Sequence, residues 1–282
     1  MVWTSTVSAQ LLSQTSLPCT VPAELEPRIK VENVSVMGEV HGTVEAPAAF
    51  GAAVCRALAL GRIVSVGLEL YGNEADALRS YLASDGEQPA IALLLRSSFW
   101  TRGLQDGRSS YAILQLIERL RLLVQKNPNL NVFVLEGDAA RNSGTAPYTR
   151  EEVMANKVRA ERARRSAALI LTLSGNVHNR IKIMPSSPVG SIPPLSMGVL
   201  LADLSPHAVS LRSAEGTFWV CAPKCGIHGD PVHKKSLVDH NQMYRRLAEQ
   251  ASYTDEWILG PSTASSPAIN VVTERMSNEA TP

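Results

Sequence analysis

Four apolar runs constrain this chain more than any other feature: IKVENVSVMGE (29–39), RIVSVGLEL (62–70), LNVFVLEGD (130–138) and AALILTLSGN (167–176). Each holds a near-continuous Val/Ile/Leu stretch, the pattern of a strand covered on both faces rather than one with a wet side. Helical segments lie between them, at 47–61, 74–84, 87–98, 109–126 and 149–166. The clearest is 109–126, where Ile113, Leu116, Ile117, Leu120 and Leu123 repeat at the spacing of one buried stripe. The helix at 149–166 opens with a capping box, Thr149 with Glu152 three residues on. Such alternation predicts an α/β fold: a mostly parallel central sheet with helices on both faces.

The organisation predicted around that sheet is simple. Residues 1–28 are polar and form an irregular segment, 29–259 make one α/β domain, and 260–282 are a weakly ordered tail in which PAINVV is a candidate extra strand. Four prolines make 184–196 a loop, with a lid as one use of it. AVSLR (208–212) and TFWVC (217–221) are expected as late edge strands, and LVDHNQMYRRLAEQ (237–250) as a helix.

With 27 basic and 26 acidic side chains the net charge is +1, which does not point to nucleic acid or an anionic membrane as partner. The basic cluster KVRAERARRS (157–166) is the solvated face of a helix. No apolar run reaches the roughly 18–20 residues of a membrane span. The start, MVWTSTVSAQLLSQTSLPC, lacks the basic and densely apolar regions of an intact signal peptide. Of the four cysteines, Cys221 and Cys225 are expected to close a small disulfide loop, ahead of free thiols and of a zinc half-site completed by His228 and His233. Cys55 is expected to pack as a small hydrophobe. The compartment favoured is exported or periplasmic over cytoplasmic.

The polar residues fall at the strand ends. Glu39 and His41 close the first strand, Glu69 the second, Glu136 and Asp138 the third, and Asn176 and His178 the fourth. In a parallel sheet these ends share one edge, where open α/β sheets place their sites. Glu39 and His41 at i and i+2 point the same way in extended backbone, as do Asn176 and His178. Two imidazoles with carboxylates have two uses. They can hold a divalent ion, zinc, manganese or iron by donor chemistry, or they supply a general base with an acid to orient it. FWTRGLQDGRSS places Trp100, Asp106 and Arg108 in a loop before the best helix. Arg150 sits in the first turn of a capped helix, where the dipole disfavours a cation, so it needs a carboxylate or a substrate anion. His207, His228, His233 and His240 show no such convergence and are expected in loops or on helix surfaces.

The order GEVHGT, GLEL, FW…DGR, TREEVMA and GNVH resembles the superfamily that groups erythromycin esterases, ChaN-type haem-binding lipoproteins and Tiki/TraB-type proteins, and is most similar to bacterial members of unassigned function. The resemblance spans residues 34–180. It implies a parallel sheet with the site at its carboxyl edge. The esterase branch implies a His–Glu site that activates water, with His41 as general base and Glu39, Glu69 and His178 as orienters or substrate contacts. The Tiki branch implies a divalent metal at His41, Glu39, Glu69 and His178, for which manganese, zinc and cobalt are the ions to test, and peptide hydrolysis. The ChaN branch implies haem at a homodimer interface without catalysis, although Tyr71, Tyr111 and Tyr148 lack the context of haem ligands. The expectation carried forward is a hydrolase of an ester or amide bond in a small-molecule or peptide substrate. Arg108, Arg150, Trp100, Asp106, Asp138 and Asn176 are its candidate substrate contacts. The alternative is a haem- or metal-binding protein without turnover.

Overall fold

A computed structural model describes residues 18–138, 149–183, 195–229 and 243–279. The strands are β1 (Val34–Glu39), β2 (Val64–Leu68), β3 (Leu130–Val134), β4 (Leu169–Gly175), β5 (His207–Arg212), β6 (Thr217–Cys221), β7 (Cys225–Gly229), β8 (Met243–Arg246) and β9 (Asp255–Ile258). The helices are α1 (Leu25–Val31), α2 (Glu45–Ala59), α3 (Ala75–Ala83), α4 (Gln88–Leu94), α5 (Ser98–Thr101), α6 (Tyr111–Lys126), α7 (Arg150–Arg164), α8 (Met197–Leu200) and α9 (Ala268–Glu279). Seven strands form one sheet in the order β3-β2-β4-β1-β5-β9-β8, parallel except for β8 against β9. The other two make an antiparallel hairpin, β6–β7. The fold is α/β, as the apolar runs require.

Every residue of β1, β2 and β4 is buried. Val34 and Val36 pack on one face with Met154, Val158 and Met197, while Met37 packs on the other with Phe50, Leu114 and Ile117. This two-sided burial, worth about 1.5–3 kcal/mol for each large apolar side chain, explains why the strands are apolar without alternation. The stripe on α6 is buried as spaced, with Leu123 partly covered.

The faces also explain the site. The chain leaves β1 and β2 over the face that carries α2 and α6, but leaves β3 and β4 over the face that carries α7 and α8. Because β4 lies between β2 and β1, connections diverge on either side of it and a crevice opens at the carboxyl edge.

Several elements differ from the sequence expectation. Residues 29–31 belong to α1, so the first strand begins only at Val34. β5 is not an edge strand; it runs between β1 and β9. The expected helix at 237–250 is, at Met243–Arg246, strand β8, where Arg245 bonds Glu256 across the pair. Tertiary pairing there overrides a helical pattern. The stretch containing PAINVV is helical, with Ala268 and Val272 of α9 buried, so residues from Gly260 to α9 pack on the domain rather than trail from it. His207 lies buried on β5, its Nδ1 3.2 Å from Ser35 Oγ and its Nε2 against Asp255. Cys55 is not a lone hydrophobe: it pairs with Cys19, and Cys221 pairs with Cys225. Tyr148, His233, His240 and most of the proline-rich loop lie outside the described residues. Among the described residues no helix is long and apolar enough to cross a membrane.

Candidate active site

The strand ends do converge. In the sheet Glu39 lies beside Gly175, and the Asn176 N–H donates to Glu39 O at 2.8 Å, extending the β1–β4 ladder. Glu69 follows β2 directly, and its Oε2 accepts from the Gly175 N–H at 2.6 Å. Two imidazoles flank this one carboxylate. His41 Nε2 is 3.4 Å from Glu69 Oε2, and His178 Nε2 is 3.8 Å from Glu69 Oε1. Each ring is held from behind by its own carboxylate. The His41 Nδ1–H donates to Glu39 Oε1 at 3.0 Å, and the His178 Nδ1–H to Glu151 Oε1 at 2.6 Å. Glu151 is fixed in turn by the Met197 N–H at 2.8 Å. The room for His41 comes from Gly175, where a Cβ would stand 2.7 Å from His41 Nε2.

The arginines complete the floor. Arg150 Nη2 bridges Glu69 and Glu136, which resolves its unfavourable place at the start of α7. The capping box is present: the Glu152 N–H donates to Thr149 Oγ1, and the Thr149 N–H to Glu152 Oε2. Arg108 Nη1 is 3.4 Å from Glu136 Oε1 and 3.9 Å from Glu69 Oε1, while its Nε and Nη2 bond Asp106. Burial would raise Asp106, but Arg108 holds it below the ordinary carboxylate value.

These charges set the protonation of the centre. Burial favours the neutral ring of His41, but the carboxylates of Glu69 and Glu39 outweigh it and push the pKa up to about 10. Burial likewise opposes the ionised form of Glu69, yet His41, His178 and Arg150 hold it well below the ordinary range. Glu39 is raised, chiefly by burial.

A cavity of about 440 Å³ opens over this floor. Glu39, His41, Glu69, Asp106, Arg108, Arg150, Asn176 and His178 line it, so eight of the ten sequence candidates meet there. The other two do not. Trp100 is a core residue, 1% exposed and edge-on to Phe99 at 5.1 Å. Asp138 is exposed and lies against Gly72, where a Cβ would meet its Oδ1 at 2.5 Å. Three groups had no role assigned from the sequence. Glu136 was visible as a strand-end carboxylate. Glu151 had no signal, being one of two acids in a helix first turn. Phe218, Trp219 and Val220 of β6 reach the cavity only through the packing of the hairpin. A second cavity, about 380 Å³ along β3, contains the carboxylate of Glu161, already bonded to Ser65, Asn131 and Arg164.

The donors do not suit a metal ion as arranged. Among the described residues no three His, Cys, Asp or Glu side chains are grouped to hold one. Manganese, zinc or cobalt would have to share Glu69 with Arg150 and the Gly175 N–H and lie beside two guanidinium groups. Of the tyrosines considered for haem that lie among the described residues, Tyr71 packs edge-on to Phe99 and Tyr111 lies under Arg275.

No family model matches the sequence, and no curated protein matches it. Solved structures share the fold. A succinoglycan biosynthesis protein superposes with a TM-score of 0.58 at 11% identity, covering 93% of this chain and 99% of that one. A mutant of erythromycin esterase EreC in its open conformation gives 0.52 at 12% identity, covering 92% and 82%. A Bacillus cereus protein gives 0.50 at 10%, covering 92% and 99%. The class these likenesses define is an α/β protein that shares its fold with the succinoglycan biosynthesis protein and with erythromycin esterase EreC. Within that class, this chain carries two His–carboxylate pairs facing one buried glutamate.

Proposed function

We propose that this protein is a hydrolase of an ester or amide bond, an ester in the first instance, working without a metal at the Glu39–His41–Glu69–His178 centre. The observation that carries this reading is the pairing itself. Two imidazoles, each anchored at Nδ1 by its own carboxylate, present Nε2 to one shared glutamate in an open cavity. An anchored imidazole is the usual device for moving a proton at a fixed atom. The fold, shared with a protein whose name is esterase, supports the same class.

In this scheme the neutral form of His41 takes a proton from water at Nε2, and the hydroxide adds to the carbonyl carbon. Arg108 and Arg150 lend positive potential to the oxyanion from the floor without leaving their carboxylates. Collapse breaks the carbon–oxygen bond, and the His41 imidazolium returns its proton to the leaving alkoxide. Glu39 orients His41, Glu151 orients His178, and Glu69 separates the two rings.

The test is hydrolysis of a panel of neutral phenyl and alkyl esters by protein purified with and without chelator. Turnover of at least one ester, unchanged by chelator, is expected. Turnover appearing only after manganese, zinc or cobalt is added, or none at all, overturns the reading. In the active protein, Glu151→Gln is expected to lower kcat about tenfold to a hundredfold with KM nearly unchanged, because it frees the His178 ring beside Glu69 and so disturbs the placement of the centre. Steady-state kinetics on the same ester check it, and a loss confined to KM would place Glu151 in binding instead.

A further inference from the structure

The cavity has an apolar side as well as a charged floor. Phe218, Trp219 and Val220 line it, together with Val40 and Val177. Trp219 is a fixed wall, not a loose flap. Its backbone N–H donates to Gly42 O at 2.9 Å, and its ring Nε1–H donates to Gln105 O at 2.9 Å. Behind it the hairpin is closed by the Cys221–Cys225 pair. The floor, by contrast, offers its cations already occupied: Arg108 is bonded to Asp106, and Arg150 to Glu69 and Glu136. An anionic ligand would have to compete with those three carboxylates for either guanidinium. A neutral ligand with an apolar flank meets no such competition.

We infer that the β6 wall selects the substrate of this site, a neutral ester carrying an apolar group beside its carbonyl, and that Trp219 is the specificity-determining residue. The inference rests on the hydrolase reading for the word ester, but its recognition half is separable from turnover. An apolar lining gains affinity with every methylene it covers, roughly threefold each. The preference falls on the group next to the reacting carbonyl because Gly42, which seats Trp219, immediately follows His41 in the chain.

The experiment measures equilibrium binding by calorimetry of phenyl alkyl ketones, neutral isosteres of phenyl esters that cannot be hydrolysed, with acyl chains of two to eight carbons. A matching ketone with a terminal carboxylate is the charged probe. In the wild type, affinity is expected to rise roughly threefold per methylene until the wall is covered. The carboxylate-terminated ketone is expected to bind about tenfold more weakly than its neutral counterpart. Trp219→Ala is expected to remove about tenfold of affinity from the longest ketone and little from the shortest. Trp219→Phe, which loses the bond to Gln105 but keeps an aromatic wall, is expected to retain the chain-length preference. If Trp219→Ala fails to fold, Trp219→Leu, which shortens the side chain but keeps it apolar, is expected to show a smaller loss, again at the long end. Affinity independent of chain length, equal losses at all lengths in the variants, preference for the carboxylate, or no ketone bound at all each overturn the inference. Ketones bound as described by a protein that hydrolyses no ester would overturn the hydrolase and leave the wall in place. Hydrolysis without chain-length selection would do the reverse.

Discussion

Replacing His41 by alanine is expected to lower kcat/KM for ester hydrolysis by a factor of about 10² to 10⁴, the range a positioned general base contributes. The Glu69 carboxylate keeps the Gly175 N–H and Arg150, but the buried Glu39 carboxylate loses His41, its hydrogen-bond partner, so a loss of stability should accompany the loss of rate. The accompanying pH dependence has a definite sign. With its pKa at about 10 in the free protein, His41 carries a proton at neutral pH, and only the deprotonated ring accepts one from water. The wild-type kcat/KM should therefore climb with pH through the neutral range toward that value. Glu69 supplies the largest charge that holds the proton, so Glu69→Gln should move the limb down toward the ordinary imidazole value of 6.5. pH–rate profiles of the two proteins, with circular dichroism to confirm folding, check this. A limb that stays at the same pH in Glu69→Gln would assign it to another group.

The same shifts act on stability. His41 is raised on folding, so its contribution is fully present below 6.5 and is lost as pH rises through about 10. Glu69 is depressed, so its contribution is present above the ordinary 4.5 and is lost as pH falls toward its folded value. His41→Ala should thus flatten the alkaline decline of Tm.

Gly42→Ala is expected to be strongly destabilising. Gly42 has φ +80°, left-handed backbone that costs an L-residue about 1–2 kcal/mol. Its Cβ would also stand 2.2 Å from Trp219 O and 2.8 Å from Trp219 N, backbone atoms that have no rotamer to yield. Overpacking of that kind adds about 1–3 kcal/mol. The carbonyl of Gly42 receives the N–H groups of Trp219 and Ser265, so the strain spreads to the hairpin and to the segment leading into α9. Gly61→Ala is the control. It has φ +78° and nothing within 4 Å of the added carbon, so it should show the conformational cost alone. Urea unfolding of both variants separates the two contributions. Equal losses would mean that the hairpin does not seat on Gly42 as tightly as its geometry requires. The motif GEVHGT is therefore more than a strand end. Glu39 anchors a histidine, and Gly42 gives the hairpin its seat.

How much of this was legible in the sequence varied with the range of the interaction. The strands β1, β2, β3 and β4 could be read from their continuous apolar runs and the helix α6 from the spacing of its stripe, because both are patterns of neighbouring residues. Parallel pairing then put Glu39, His41, Glu69 and His178 on one edge before any coordinate was known. The same logic could not place β8, whose identity is settled by pairing with β9, nor show that β5 lies inside the sheet. Trp100 was misplaced because an aromatic in a polar loop looks alike whether it turns to the cavity or to the core.

By itself, then, the sequence determined the α/β class, the sheet edge at which the polar groups gather and most of those groups, since apolar runs and parallel order follow from neighbours along the chain. Only the tertiary structure decided which carboxylate meets which imidazole, that Glu151 stands behind His178 and that Arg150 is shared by Glu69 and Glu136. The β6–β7 hairpin closing one side of the cavity belongs with these. All are contacts between residues far apart in the chain, and no local pattern records a distance that depends on how two separate elements pack.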